Sequence, residues 1–312
     1  MDQYKKQLMS KNGRVTMLLA REMMGYHEGY RIKTIGEYSE SFGMGRGTVQ
    51  SALKFLQEAD AIKLESKGHL GTYIDQIDYK KLWSISDLGI IMGVMPLPYS
   101  KRYEGLATGF YKTFETVSIP FSLAFMRGAT KRIEALTLGK YNFAIISKLA
   151  ANMEIENSSD IEVIHEFGEG SYVGNHVIIF RDGSMKEITD GMRVALDPAS
   201  IDQFTLTSYE CEGKKVEYVT TPYNQILQKL KNNEIDAAIW NVDEIEEKNL
   251  KFNISPFSNP KTRNIDKEDT IAVVVVSKNS LEFGDVLRKF IDFKEVEGMQ
   301  KKVINQEVIP IY

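Results

Sequence analysis

The chain has 312 residues, of which 43% are hydrophobic and 26% charged, with a formal net charge of −4 and one cysteine. That length allows two or three folding units, and the composition excludes disordered and fibrous classes. No apolar run reaches the roughly 18 residues of a membrane span, the opening MDQYKKQLMSKNGRV lacks the core of a secretory signal, and Cys211 alone permits neither an internal disulfide nor a zinc pattern. A cytoplasmic protein without metal, cofactor or membrane partner is expected. The charge is uneven: residues 1–75 hold 11 Lys plus Arg against 9 Asp plus Glu, and the remainder 28 against 34. That bias matters only if the basic groups share a face.

Residues 1–12 are polar and read as an arm. Val15, Leu18, Leu19 and Met23 mark a first helix, and Tyr26–Tyr30 connects onward. Thr34 can cap a second helix with apolar positions Ile35, Tyr38 and Phe42. Gly43, Gly45 and Gly47 surround a tight turn. A third helix follows from about Arg46 to Ala59, with Val49, Ala52, Leu53 and Leu56 on one face. Arg46, Thr48, Gln50, Ser51 and Lys54 are left to the outside or the flanks. The glycine-rich GMGRG could be a phosphate loop, but such a loop should follow a strand, and the segment before it has helical spacing.

Ala61–Glu65 alternates like a strand, Ser66–Leu70 turns, and Gly71–Ile74 returns. The basic tip at Lys67, Gly68 and His69 suits a wing lying on a phosphate backbone. This order, with Arg-Gly-Thr-Val-Gln-x-Ala-Leu-x-x-Leu and a closing Gly-Thr-Tyr-Ile, resembles the winged helix of GntR-type bacterial regulators. Gly45 and Gln50 depart from the hydroxyl cap and second arginine common there, so the resemblance implies the placement of the recognition helix and not its base preference.

Residues 76–86 read as a linker around Ile77, Leu82 and Trp83, so the winged helix-turn-helix is expected over 1–75. From Asp87 strands and helices alternate, which argues for a largely parallel sheet. Strands are expected at Leu88–Met95, Phe121–Met126 and Phe143–Ile146, then Arg193–Leu196, Val216–Val219 and Ala237–Trp240. IEALTLGKYNFAII and LQKLKNNEIDAAIW align, with Asn142 over Asp236 and Ile145 over Ile239, and this internal echo favours two similar lobes. Glu162–Phe167 and Val177–Phe180 could cross between them. Ile271–Ser277 could cross back before two C-terminal helices.

Two α/β lobes joined by extended crossings resemble the type 2 periplasmic-binding-protein fold, expected over 87–312 with the second lobe at about 170–248. VMPLPYSKRYEGLATG, FMRGATKRIEALTLGKYNFAIISKLAA, SYVGNHVII and DAAIWNV resemble the YhfZ-like family of bacterial transcriptional regulators over nearly the whole chain. That resemblance implies an N-terminal DNA reader with a C-terminal ligand-binding-type domain.

Ligands of open α/β sheets lie beyond the carboxyl ends of the strands. The candidates there are Tyr99, Arg127, Thr130 and Ser147 in the first lobe, and Ser200, Thr221, Trp240 and Asn241 in the second. Arg127 and the helix start near Thr130 would suit an anion. Tyr172 and His176 either line the cleft or stabilise a crossing. Ser200 and Thr221 also have an N-cap reading, and Trp240 a core one. No nucleophile motif surrounds His165 or His176, and Asp243–Glu247 forms a charged helix edge, so no catalytic residue is named. The expected function is a homodimeric, sequence-specific regulator binding a double-stranded DNA operator and sensing a small anionic effector. Arg46, Thr48 and Gln50 would read bases, while Arg31, Lys33, Lys54, Lys67 and His69 would meet phosphate. The alternatives are an α/β dimerisation body without ligand, or an enzyme using the cleft.

Overall fold

A computed structural model describes residues 8–158 and 160–312. Most of the arm expected over residues 1–12 lies outside the described residues; Lys11 and Asn12 instead open a helix capped by Ser10, whose hydroxyl accepts from the Gly13 N–H at 3.1 Å. The chain divides into two compact units. The first comprises the described residues through Ile91 with Phe114–Pro120, and the second Met92–Thr113 with Phe121–Tyr312. Among the described residues no helix is long and apolar enough to cross a membrane.

The first unit holds helices α1 (Lys11–Met23), α2 (Ile35–Phe42) and α3 (Arg46–Glu58), then strands β1 (Ile62–Ser66) and β2 (Thr72–Ile77). Thr34 and Glu37 form a reciprocal capping box at the start of α2, which satisfies two backbone donors that the helix itself leaves open. Gly43 ends α2 at φ 62°, a left-handed conformation that glycine adopts without steric cost. Val49, Ala52, Leu53 and Leu56 of α3 are buried, as are Val15, Leu19, Ala20 and Met23 of α1. β1 and β2 pair antiparallel, with a register shift between Lys63 and Leu64. Residues 79–86, expected as linker, form α4 (Tyr79–Ser86), which packs on α1 and buries Leu82 and Trp83. Leucine and tryptophan four-square in a helical turn are core-forming, which is why this stretch does not stay loose.

The second unit has two five-stranded sheets. The first contains β3 (Ile91–Met95), β4 (Phe121–Phe125), β5 (Phe143–Ser147), β6 (Ile161–Glu166) and β12 (Ala272–Ser277), in the order β4-β3-β5-β12-β6. The second contains β7 (His176–Phe180), β8 (Arg193–Leu196), β9 (Glu217–Thr220), β10 (Ala237–Asn241) and β11 (Asn253–Ser255), in the order β11-β7-β10-β8-β9. Both sheets are mixed through one reversed strand: β3, β5 and β6 in the first, and β8, β9, β10 and β11 in the second, share a direction, so the largely parallel expectation holds with that exception. β3 pairs parallel with β5, and β8 with β9 and β10. The strands that enter after a crossing run the other way: β12 is antiparallel to β5 and β6, and β7 to β10 and β11. This is a two-lobed, periplasmic-binding-protein-like α/β fold. The crossings lie between β6 and β7 and just before β12.

Helices α5 (Lys101–Val117), α6 (Ala129–Thr137), α7 (Lys148–Asn157), α12 (Leu281–Phe290) and α13 (Phe293–Ile304) accompany the first sheet in the chain. α8 (Ile201–Glu210), α9 (Ile226–Lys231), α10 (Val242–Glu247) and α11 (Pro260–Asp269) accompany the second. Val94, Ala144, Ile146, Val273 and Val275 bury one apolar cluster with Ile133 and Leu136 of α6. The second sheet is covered on both faces, by clusters around Ile178, Phe180 and Val194 and around Ile179, Ala195 and Trp240. Each fully buried Ile, Val or Phe contributes roughly 1.5–3 kcal/mol relative to an exposed one, so these near-continuous apolar strands fix their own depth. Cys211 lies in one of these clusters, and burial pushes its thiol up to about 11.

Candidate functional site

Among the described residues, a groove in the first unit and a cleft in the second gather the side chains anticipated for function. In the first unit a groove of about 790 Å³ runs between α3, the start of α2 and the hairpin. Arg31, Lys33, Arg46, Gln50 and Lys54 line it together with Gln57, and no carboxylate does. Arg46 and Gln50 are exposed at the start of α3, where Gly45 offers no side-chain cap to the first-turn N–H groups. Such a helix start favours anions. Lys33 also pairs with the half-buried Glu22 at 2.8 Å, and Lys54 with Glu58 at 3.4 Å; the second pair is exposed and worth little. Arg31 lies against the hairpin, its Nε only 2.6 Å from where a Cβ on Gly71 would stand. Lys67 and His69 are exposed at the hairpin tip, outside the groove, with Lys67 near Glu65 and over the Tyr73 ring. Thr48 is half-buried and does not line the groove.

In the second unit a cleft of about 80 Å³ opens between the lobes. A single water needs roughly 10–15 Å³, so the cleft has room for several waters or a small solute. Tyr99, Arg127, Tyr172, His176, Ser200 and Asn241 line it, six of the ten residues anticipated for it. The other four do not. Thr130 is exposed on the first turn of α6. Ser147 is fully buried, donating to Asp202 Oδ1 at 2.5 Å while accepting from the Ala150 N–H. Thr221 is buried and donates to the Val219 carbonyl. Trp240 lies behind the cleft wall, its ring stacked 4.0 Å from that of Tyr223. All four sit near strand or helix ends as expected, but Thr130 faces solvent, Ser147 caps a helix, and Thr221 and Trp240 turn into packing.

The lobes meet through ion pairs. Arg127 Nη1, after β4, donates to Asp197 Oδ2, after β8, at 2.5 Å. Asp197 is 3% exposed and also accepts from the Tyr223 and Ala199 N–H groups. The anion site expected at Arg127 is therefore occupied by the protein's own carboxylate. Arg102 of α5 likewise holds Asp243 of α10 at 2.9 Å, and Glu247 accepts from the Lys101 N–H. Close approach requires glycine: a Cβ on Gly128 would stand 2.3 Å from the Ala199 carbonyl oxygen, and one on Gly174 2.5 Å from Asp243.

Deeper in, the cleft is acidic. Asp202, Glu244 and Asp269 line it with Asp197, against Arg127 and Arg132. Arg132, 2% exposed, donates to the Met126 carbonyl and to Tyr172 OH at 2.9 Å. Burial holds the Tyr103 and Tyr172 hydroxyls above their ordinary range. Burial also raises the Asp202, Asp269 and Glu244 carboxyls, and for Asp269 the nearby Asp202 adds to it. His176 Nδ1 lies 2.9 Å from Asp266 Oδ1 and 3.2 Å from Asp269 Oδ2. Asp202, Asp266, Asp269, Arg132 and Tyr223 were not anticipated from the sequence; Asp266 and Asp269, three apart on one helix, were the signal available.

Two family models cover the chain: a helix-turn-helix domain over residues 27–74 and the YhfZ C-terminal domain over 78–312. The chain belongs to the YhfZ family. It is 35% identical to the protein YhfZ of Escherichia coli strain K12 over 304 residues, 97% of this chain and 98% of that one. The crystal structure of YhfZ from Shigella flexneri is 33% identical, with a TM-score of 0.60, covering 75% of this chain and 97% of that one. The methionine-binding protein MetQ matches at 15% identity and a TM-score of 0.47, over 72% of this chain and 98% of its own.

Proposed function

We propose that this YhfZ-family chain is a cytoplasmic, GntR-like, homodimeric transcription regulator whose C-terminal cleft takes a small effector. The observation that carries the DNA-binding part is the groove beside α3, where Arg31, Lys33, Arg46 and Lys54 converge and the carboxylates that pair with the two lysines, Glu22 and Glu58, are not among the lining residues. Arg46 and Gln50, exposed at the helix start, reach base edges, Gln50 suiting adenine. Thr48 supports them from the same turn. Arg31, Lys33 and Lys54 meet phosphates, and Lys67 and His69 extend that contact along the wing.

Two readers on half-sites one helical turn apart multiply a modest single-helix affinity. The effector acts by differing in affinity for open and closed lobes, which the Arg127–Asp197 and Arg102–Asp243 pairs hold together. Tyr99, Tyr172, His176, Ser200 and Asn241 supply its polar surroundings. An anionic effector loses its main support, since Asp197 already neutralises Arg127.

The test is capture of genomic fragments by the purified chain, followed by gel-shift measurement of each against random duplex of equal length. A captured fragment bound at least about 10³-fold more tightly than random duplex supports the reading. Uniformly weak binding to all fragments refutes it.

A further inference from the structure

We infer that His176, Asp266 and Asp269 form a binding site for a divalent transition-metal ion at the junction of the two lobes. Their donor atoms, one imidazole nitrogen and two carboxylate oxygens, all lie within 4.8 Å of one another. His176 Nδ1 stands 2.9 Å from Asp266 Oδ1 and 3.2 Å from Asp269 Oδ2. Donors bound about 2.0–2.2 Å from a common ion stand about 2.9–3.4 Å from one another, the range in which both distances from the histidine fall.

A second observation points the same way. Asp269 is fully buried and lines the cleft, yet its carboxylate accepts no well-aligned hydrogen bond, with only His176 Nδ1 at 3.2 Å and the Asp202 carboxyl beside it. An orphaned buried carboxylate is costly. One imidazole N–H can be shared between two carboxylates only as a bent, weakened pair, whereas a cation satisfies all three donors. Asp202, hydrogen-bonded to Ser147, lines the same cleft and offers a fourth oxygen or a partner for a bound water.

The backbone explains the convergence. His176 opens β7, directly after the crossing into the second lobe, and Asp266 and Asp269 close α11, directly before the crossing back. Positions three apart on a helix share a face, so both carboxylates turn toward the histidine. One nitrogen with two or more oxygens suits Zn²⁺ or Mn²⁺ better than Ca²⁺ or Mg²⁺, which take oxygen alone. Ligands from both crossings would tie the metal to the hinge. The inference does not depend on DNA binding.

The test uses the full chain, stripped with EDTA and dialysed against ZnCl₂ or MnCl₂, with bound metal counted by mass spectrometry and Tm read in parallel. One retained ion per chain and a Tm rise of about 4 °C or more are expected, both lost in His176→Ala and Asp266→Asn. Metal content equal in wild type and variants overturns the site. So does a gain in Tm for metal-free Asp269→Asn alongside a wild type that ignores metal, since Asp202 and Asp269 would then share a proton. Should a variant fail to fold, Co²⁺ added to the wild type decides: it must broaden the His176 ring resonances before those of His27, His69 and His165.

Discussion

Asn142 and Asp236 hold the same place in the two lobes. Each precedes a central strand and clamps the residue beside it on the neighbouring parallel strand. Asn142 donates its N–H to the Met92 carbonyl at 2.7 Å and accepts the Met92 N–H on Oδ1 at 2.8 Å. Asp236 donates to the Arg193 carbonyl at 2.8 Å and accepts the Arg193 N–H on Oδ2 at 2.9 Å. The internal echo in the sequence is thus a repeated device for aligning parallel strands. The lobes differ in charge at this point: Asp236 also takes the guanidinium groups of Arg193 and Arg181.

That difference predicts an acid-dependent stability. Arg193, by its side-chain hydrogen bonds, and then Arg181 hold the Asp236 carboxyl down to about 2, against about 3.9 in an unfolded chain. The folded state therefore binds fewer protons between these values. Its contribution is complete above about pH 5 and is lost as pH falls through about 2. Part of the pair is exposed, so screening leaves about 1–2 kcal/mol. Asp236→Asn should be less stable than wild type in urea at pH 7, and the two curves should converge toward pH 2. A gap that stays constant across that range would show that the charge is not what holds the strands.

Arg46 and Lys54 line the same groove but should fail differently. Arg46→Ala removes a base contact and should weaken binding to a captured operator by about 1–3 kcal/mol. Lys54→Ala removes a phosphate contact, weakening all sequences alike and lowering the slope of log K against log salt by about 1. Fluorescence anisotropy at several salt concentrations separates the two. Equal losses with unchanged slopes would remove both residues from the interface.

The contrast between the two regions explains what a sequence can carry. The groove residues lie within one stretch from Arg31 to Thr72, so helical period, a capping threonine and a glycine turn suffice to bring them together. The cleft draws on residues from Pro96 to Asp269, and only the fold decides which strand-end side chains face it. Ser147, Thr221 and Trp240 occupy the right ends of the right strands yet turn inward, a choice set by neighbours such as Asp202 and Tyr223. Asp202 and Asp269 carry no local signal of their burial: they stand in polar helical turns, and it is the packing of α8 against α11 that buries them.

The Arg127–Asp197 pair should be asymmetric in its cost. Asp197 is nearly fully buried and serves the guanidinium and two backbone N–H groups, while the Arg127 side chain is 29% exposed. Asp197→Ala orphans three donors and should cost about 3 kcal/mol or more. Arg127→Ala leaves Asp197 with its backbone donors and should cost about 1–2 kcal/mol. Urea denaturation of both variants checks the order. A larger loss for Arg127→Ala would mean that the carboxylate depends on the guanidinium rather than on its own turn.

Gly128 and Gly139 both have positive φ, at 82° and 72°, and bracket the same helix. They differ in what surrounds them. A Cβ at Gly139 meets nothing within 4 Å, whereas one at Gly128 would stand 2.3 Å from the Ala199 carbonyl oxygen of the opposite lobe. Gly139→Ala should therefore cost only backbone strain, about 1–2 kcal/mol. Gly128→Ala carries that strain and a clash with rigid backbone besides, which the lobes relieve by parting and giving up the Arg127–Asp197 bond. Small-angle scattering should show a larger radius of gyration for Gly128→Ala than for Gly139→Ala, with the first lobe's helical signal retained in both. Identical scattering would mean that the Ala199 turn yields instead, and that glycine at 128 serves its own backbone angle and not the closure of the cleft.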